Sequence, residues 1–133
     1  MIRKSLPPSA PLLLESLRAI GYEAPTAIAD LIDNSIAAAA TAIDIRFSPG
    51  RPNHITFLDN GCGMDVEGLI TAMTFGSHDP NARRADHDLG RFGLGLKTAS
   101  ISQCRHLTVA TKRGDTLCAM QWDLDDVSAA WNV

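Results

Sequence analysis

The chain has 133 residues, of which 45% are hydrophobic and 20% charged, with a formal net charge of −3. This is an ordinary globular composition with room for one hydrophobic core, and it argues against disorder. The small negative charge does not favour nucleic acid as the primary ligand. The apolar run over residues 11–14 is too short for a signal peptide or a membrane span, so we expect a cytoplasmic protein. The odd number of cysteines, without a CxxC pair, predicts reduced, semi-buried thiols at Cys62, Cys104 and Cys118.

Two helices are predicted at the start. Ser9 and Pro11 are typical of a helix beginning, and the first helix is expected over residues 12–20, ending at Gly21. Its expected core face consists of Leu13, Leu14, Leu17 and Ile20. A second helix begins near Pro25 or Thr26 and is expected to continue through the alanines at 37–40. Its expected packed stripe consists of Ile28, Leu31, Ile32, Ser35 and Ala39.

The apolar period then changes from about 3.6 residues to 2. Residues 43–48 alternate as a half-buried strand, residues 48–53 form a turn, and residues 55–58 form the returning strand. A short helix over residues 66–73, an irregular polar loop over 76–88 and a helix ending near Ile101 follow. A second hairpin pairs residues 106–111 with 116–122. This order predicts an α+β sandwich with helices on one face of a mainly antiparallel sheet, and a core that includes Phe47, Met64, Met73, Trp122 and Trp131.

The second helix carries the first candidate site. Asp30 and Asn34 are four residues apart and therefore share a helix face, with Asp33 on the flank. Carboxylate and amide oxygens there could hold a hard divalent cation, and a free carboxylate could orient a water molecule. A solvated polar face is the alternative interpretation.

The second candidate follows a strand directly. Asp59 could accept a hydrogen bond from an exocyclic amine, while Gly61 and Gly63, before Met64, would let a flat ring approach the backbone. The alternative is a tight turn that uses these residue types for local reasons. A dinucleotide-binding GxGxxG fingerprint is absent from this segment.

The third candidate is a glycine-rich run that enters a helix. Backbone N–H groups and the positive end of a helix dipole form a phosphate seat there, with added charge from Arg91 and Lys97. The run misses the P-loop pattern because the lysine comes one place late. A flexible hinge is the alternative. The run consists of Gly90, Arg91, Phe92, Gly93, Leu94, Gly95, Leu96 and Lys97.

These three segments, in this order and spacing, strongly resemble the GHKL ATPase superfamily over residues 27–111. Within the superfamily, the sequences of residues 27–35 and 90–97 most resemble those of the MORC-like and bacterial Hsp90-like branch. The resemblance implies the Bergerat fold, with ATP and Mg²⁺ as ligands. Asn34 would be the Mg²⁺ ligand, Asp59 would bind the adenine amino group beside Gly63, and Thr111, in preference to Thr108, would place a hydroxyl near adenine. The glycine-rich run and Lys97 would wrap the triphosphate under a lid formed by residues 76–88.

One departure concerns the base that activates the attacking water. The resemblance implies a glutamate four residues before the asparagine, and this chain has Asp30, which is one methylene shorter. A general base must lie within about 3 Å of the water that it deprotonates, and a misplacement of about 1 Å can cost about a hundredfold in rate. We therefore expect ATP binding with slow hydrolysis. A kinase of the histidine-kinase type and a non-hydrolysing nucleotide sensor are the alternatives.

The resemblance also implies a larger assembly. We expect a single domain over residues 1–133 that is the N-terminal part of a larger protein and dimerises when ATP binds. A downstream domain or a partner protein would supply a phosphate-sensing lysine. In the lid segment, the His and Asp residues could suggest a metal cluster, but the lack of regular spacing favours solvated side chains. These residues are His78, Asp79, Asp86, His87 and Asp88.

Overall fold

The computed structural model of the chain describes residues 10–19, 22–75 and 95–126. The elements in chain order are α1 (Ala10–Ala19), α2 (Ala24–Ala37), β1 (Ile43–Ser48), β2 (His54–Asp59), α3 (Val66–Met73), α4 (Gly95–Gln103), β3 (His106–Arg113) and β4 (Thr116–Asp123). Helices combined with antiparallel strands confirm the predicted α+β class. Within these ranges, no helix is both long enough and apolar enough to cross a membrane.

The four strands form two separate antiparallel sheets, whereas the sequence predicted one mainly antiparallel sheet. β1 pairs with β2 from Ile43 opposite Asp59 to Ser48 opposite His54. β3 pairs with β4 in the second sheet, and the turn between them uses Gly114 at a φ of 59°. Each pair joins strands that are consecutive in the sequence, so both predicted hairpins are present, and among the described residues no strand pairing joins one hairpin to the other.

The hydrophobic core lies where α1, α3, α4 and β4 meet. Trp122 is 2% exposed, and its Nε1 donates a hydrogen bond to the Met73 carbonyl at 3.0 Å. The Phe75 ring meets the Trp122 ring edge-on, with 5.5 Å between the ring centroids. Burying one large apolar side chain stabilises the fold by about 1.5–3 kcal/mol. The buried cluster consists of Leu14, Leu69, Met73, Ile101, Trp122 and Leu124.

The β1–β2 hairpin alternates as predicted, but one residue expected in the core is exposed. Ile43 and Ile45 are half-buried, while Phe47 is 64% exposed. Phe47 lies opposite Ile55, which is 48% exposed. Both side chains are exposed because this sheet contacts the described helices only weakly. In α1, Leu14 is buried as expected, but Leu13 is 38% exposed. The spacing of apolar residues along the sequence shows which side chains share a face, whereas their burial depends on whether another element covers that face. Gly21, Ile20, Trp131 and the side chain of Leu17 lie outside the part of the chain that the structure describes.

The helix α2 ends earlier than the alanine run predicted. Its last residue is Ala37, and Ala39 has a φ of 58°, so the expectation of helix through residue 40 is wrong. The Ala39 N–H donates to the Ile36 carbonyl at 2.9 Å and the Ala40 N–H to the Ser35 carbonyl at 3.0 Å. These two bonds form a Schellman motif, which satisfies the last helical carbonyls. Ala39 is also exposed, so it does not belong to the packed stripe of α2.

Candidate functional site

The acid and the amide of α2 share a half-buried face, as their spacing predicts. Asp30 and Asn34 are both partly buried, whereas Asp33 is exposed. A Cβ placed on Gly95, the first residue of α4, would lie 4.0 Å from Asp30 Oδ2. Asp30 also accepts a hydrogen bond from the Tyr22 hydroxyl. The candidate base therefore lies beside the point where the glycine-rich run enters α4.

The Asn34 side chain has an unsatisfied amide. Its Nδ2 is buried and makes no hydrogen bond to any of the residues that the structure describes. An unpaired buried amide costs about 1–3 kcal/mol, so proteins rarely leave one without a partner. The two ends of a carboxamide can exchange places by rotation, and its oxygen is a ligand type that Mg²⁺ accepts. Asn34 therefore carries a buried amide that the described residues leave unpaired, one helical turn along α2 from Asp30.

Asp59 is oriented by two neighbours at the end of β2. Its Oδ1 accepts from the Gly61 N–H at 2.8 Å, and its Oδ2 accepts from Ser35 Oγ at 3.1 Å. Ser35 is 5% exposed and directly follows Asn34, so this bond ties the part of α2 that carries Asn34 to the predicted adenine-binding acid. The Ser35 hydroxyl lies farther, at 3.4 Å, from the Leu31 carbonyl. One hydroxyl hydrogen can serve only one strong acceptor, and the geometry favours Asp59.

The two glycines after Asp59 allow close contacts with the protein's own chain. A Cβ on Gly61 would lie 2.8 Å from Ala38 Cβ, and the next N–H, from Cys62, donates to the Ala38 carbonyl at 2.9 Å. Gly63 has a φ of 64°, and a Cβ there would lie 2.0 Å from the Lys112 carbonyl oxygen. From the sequence, these glycines were predicted to let a flat ring approach the backbone. In the structure, glycine is also needed at these two positions because the turn passes closely between the end of α2 and β3.

Thr111 reaches this turn and Thr108 does not. Thr111 Oγ1 accepts from the Met64 N–H at 2.8 Å and lies beside Gly63. Thr108 is exposed on the same strand, where its hydroxyl lies 3.3 Å from Gln121 Oε1. Of the two threonines that the resemblance offered, Thr111 is therefore the one that the fold brings to the candidate site.

The Lys97 side chain is buried against the end of α3. It is 0% exposed, and Nζ donates to the carbonyls of Ala72 at 2.8 Å and Thr74 at 2.7 Å. Nζ also lies 5.8 Å from the centre of the Phe75 ring. Burial lowers the pKa of this ammonium group. The charge thus caps the C-terminal end of α3, and contact with a phosphate would require Nζ to leave these carbonyls.

The structure covers only part of the predicted phosphate segment. Gly95 and Lys97 are described, whereas residues 90–94 and the predicted lid at 76–88 lie outside the described residues. The candidate metal cluster in that lid lies outside them as well. The three cysteines are free, with Cys62 exposed and the other two half-buried.

Sequence reasoning missed two residues of this site, Tyr22 and Ser35. Ser35 was assigned to the packed stripe of α2, although a hydroxyl on an otherwise apolar face indicates a buried polar partner. The partner could not be identified, because Asp59 is 24 residues away. Tyr22 gave no signal, because it lies in the connection between two helices.

Comparison with known proteins covers this whole site. Residues 22–133 match a family model described as histidine kinase-, DNA gyrase B- and HSP90-like ATPase. The chain is 36% identical over 101 residues to the protein named ATPase MORC2B of Mus musculus, an alignment that covers 71% of this chain and 10% of that protein. It is 34% identical over 93 residues to the DNA mismatch repair protein MutL of Listeria welshimeri, covering 67% and 15%. With ATPase morc-1 of Caenorhabditis elegans the identity is 31% over 96 residues, covering 71% and 11%.

The chain spans between 10% and 15% of the length of these relatives. The matched residues include each described residue of the candidate site, from Tyr22 through Thr111. The resemblance to MORC-like members of the superfamily is confirmed. The chain therefore belongs to the histidine kinase-, DNA gyrase B- and Hsp90-like family of ATPases.

Proposed function

We propose that this chain binds Mg-ATP between α2, the turn after β2 and the start of α4, and hydrolyses it slowly. Family membership supports ATP binding at the level of the class. The observation that carries the proposal is the hydrogen bond from Ser35 to Asp59. It joins the acid proposed for adenine to the residue next to Asn34, whose amide has no partner among the described residues.

Each part of the nucleotide has a proposed partner. The Asp59 carboxylate accepts a hydrogen bond from the adenine amino group, on a turn that Thr111 holds through the Met64 N–H. Asn34 would supply an oxygen ligand to Mg²⁺, and the cation would neutralise charge on the phosphate oxygens. Residues 90–95, which precede and begin α4 in the sequence, are proposed to offer backbone N–H groups to the phosphates.

Asp30 is the proposed general base. It accepts the proton of a water molecule whose oxygen bonds to the γ-phosphorus, while the bond from that phosphorus to ADP breaks and ADP leaves. The half-buried position of Asp30 beside Gly95 supports this assignment. Because Asp is one methylene shorter than Glu, we expect turnover to be slow and Asp30→Glu to raise it.

Nucleotide binding to the site is proposed to close residues 76–88 as a lid and to favour dimerisation. In the whole protein, a further domain or a partner would contribute a lysine to the γ-phosphate. The chain spans at most 15% of the relatives compared above, which leaves room in them for such a domain.

ATP titration calorimetry, with and without Mg²⁺, tests the binding site. We expect Asp59→Asn to raise the Kd for ATP at least tenfold, about 1.4 kcal/mol, because the amide presents a donor as well as an acceptor to the adenine amino group. Asp115→Asn is the matched control, since Asp115 is exposed in the turn between β3 and β4. Equal affinity for Asp59→Asn and wild type would remove Asp59 from the adenine site. Asn34→Ala should abolish the gain in affinity that Mg²⁺ gives.

A second candidate is a nucleotide sensor that binds ATP without hydrolysing it. The short side chain of Asp30 favours this alternative, because its carboxylate extends less far toward the attacking water than that of a glutamate would. Tight ATP binding with no phosphate release from wild type or from Asp30→Glu would establish the sensor. Phosphate release that Asp30→Ala abolishes would establish the ATPase.

A further inference from the structure

The hydroxyl of Tyr22 contacts the carboxylate that we propose as the general base. Tyr22 lies in the connection before α2, is half-buried, and donates its hydrogen bond to Asp30 Oδ2. This bond is the first cause of a raised pKa at the Tyr22 phenol, with burial second. Because the contact occupies one carboxylate oxygen, the other remains available to accept a proton.

The backbone of Tyr22 is itself held by α4. Gln103, the last residue of α4, donates from Nε2 to the Tyr22 carbonyl at 2.5 Å. The first residue of the same helix, Gly95, lies beside Asp30. The last residue of α4 thus bonds to the tyrosine, and the first residue of α4 lies beside the acid that the tyrosine binds.

We propose that Tyr22 is a positioning residue that holds the Asp30 carboxylate in the orientation in which its free oxygen meets the attacking water. The proposal rests on the proposed ATPase function, with Asp30 as base. An aspartate has a broad range of accessible carboxylate rotations, and a fixed donor on one oxygen narrows that range.

Steady-state kinetics of Tyr22→Phe test this role. The substitution keeps the ring and removes only the hydroxyl. We expect kcat to fall about tenfold, as for a base displaced by a fraction of an ångström, while the KM and the Kd for ATP stay within about twofold. In an Asp30→Ala background, Tyr22→Phe should leave the Kd for ATP unchanged and should not restore phosphate release, because the carboxylate that it positions is gone. Thr108→Val, which removes an exposed hydroxyl on β3, is the control and should match wild type.

A spectroscopic titration tests the contact without turnover. Tyr22 is the single tyrosine of the chain, so the tyrosinate absorbance reports this phenol alone. We expect the pKa of Tyr22 to lie above its ordinary value in the wild type and to fall back toward it in Asp30→Ala. The same titration midpoint in both proteins would overturn the contact.

The possible failures are distinguishable. Absence of phosphate release from the wild type and from Asp30→Glu overturns the ATPase function, and the positioning role with it. Phosphate release that requires Asp30 but is unchanged in Tyr22→Phe overturns the positioning role alone. Faster release by Tyr22→Phe also overturns it, since the hydroxyl would then occupy the place of the water.

Discussion

At the scale of single residues, the site depends on hydroxyl groups that hold charged or backbone groups in place. The Ser35 hydroxyl bonds to Asp59 across two elements, and the Thr111 hydroxyl bonds to the Met64 N–H across two others. Neither hydroxyl needs to touch the nucleotide in order to affect its binding. A binding group that is already held in one orientation loses less conformational entropy when the ligand binds. This preorganisation raises the affinity.

Ser35→Ala should weaken ATP binding by about tenfold, since a hydrogen bond to a charged group contributes about 1.5–3 kcal/mol. Calorimetric titration with Mg-ATP measures the change. Ser16→Ala is the matched control, because Ser16 makes the same kind of bond to the carbonyl four residues before it but reaches no site residue. Equal affinities for the two variants would show that the bond to Asp59 does not contribute.

Thr111→Val and Thr108→Val form a second matched pair on β3. Thr111→Val leaves the Met64 N–H without its acceptor, so we expect about tenfold weaker ATP binding and an unfolding free energy lower by about 1–2 kcal/mol. Thr108→Val should change the unfolding free energy by less than about 0.5 kcal/mol, because Thr108 is exposed. A larger loss of affinity in Thr108→Val than in Thr111→Val would reverse the assignment.

At the scale of elements, the end of α2 shows a local conflict between residue type and conformation. Ala39 adopts a φ of 58°, a region where a Cβ is unfavourable. Ala39→Gly should therefore stabilise the protein by about 0.5–1 kcal/mol. Ala29→Gly, at an exposed position inside the helix, should destabilise it by about 1 kcal/mol. Urea denaturation measures both, and a loss of stability in Ala39→Gly would contradict the expected relief of strain.

Lys97 bonds α4 to the end of α3. Lys97→Met leaves the carbonyls of Ala72 and Thr74 unpaired, so we expect the unfolding free energy to fall by about 2–3 kcal/mol. Burial lowers the pKa of Lys97, so the folded state binds this proton less tightly than the unfolded state does. The stability of the wild type should consequently rise as the pH increases from the lowered pKa to the ordinary one, and its advantage over Lys97→Met should widen.

Urea denaturation at several alkaline pH values measures this dependence. ATP titration of the folded variant separates the structural role from the phosphate role that the sequence predicted. Affinity within about twofold of wild type would agree with a lysine that caps α3. A loss of more than about tenfold would instead assign Nζ to the phosphates when nucleotide is bound.

At the scale of the whole molecule, Trp122 joins the second hairpin to the helices. Trp122→Phe removes the bond to the Met73 carbonyl and part of the buried volume, so we expect a loss of about 2–3 kcal/mol of unfolding free energy. Leu117→Ala is the control on the same strand, since Leu117 is 73% exposed and should cost less than about 0.5 kcal/mol. Similar losses for both variants in urea denaturation would place the core elsewhere.

The sequence by itself determined the features that depend on neighbours in the chain. The helix over Val66–Met73 was predicted with the bounds that the structure shows, because the Asp65 side chain caps it locally by accepting from the Gly68 N–H at 2.9 Å. Both hairpins were predicted as well, because alternating apolar residues and the turn residues between them are local features of the sequence. The shared face of Asp30 and Asn34 also follows from helical spacing alone.

Only the tertiary structure decided which partners those elements would meet. Lys97 follows a glycine-rich run, which predicts a phosphate contact, yet Nζ is bound by carbonyls 23 and 25 residues away. Phe47 has the spacing of a core residue but remains exposed, because the described helices contact its sheet only weakly. The periodicity of a segment follows from its own backbone geometry, whereas these contacts arise from packing between segments far apart in the chain.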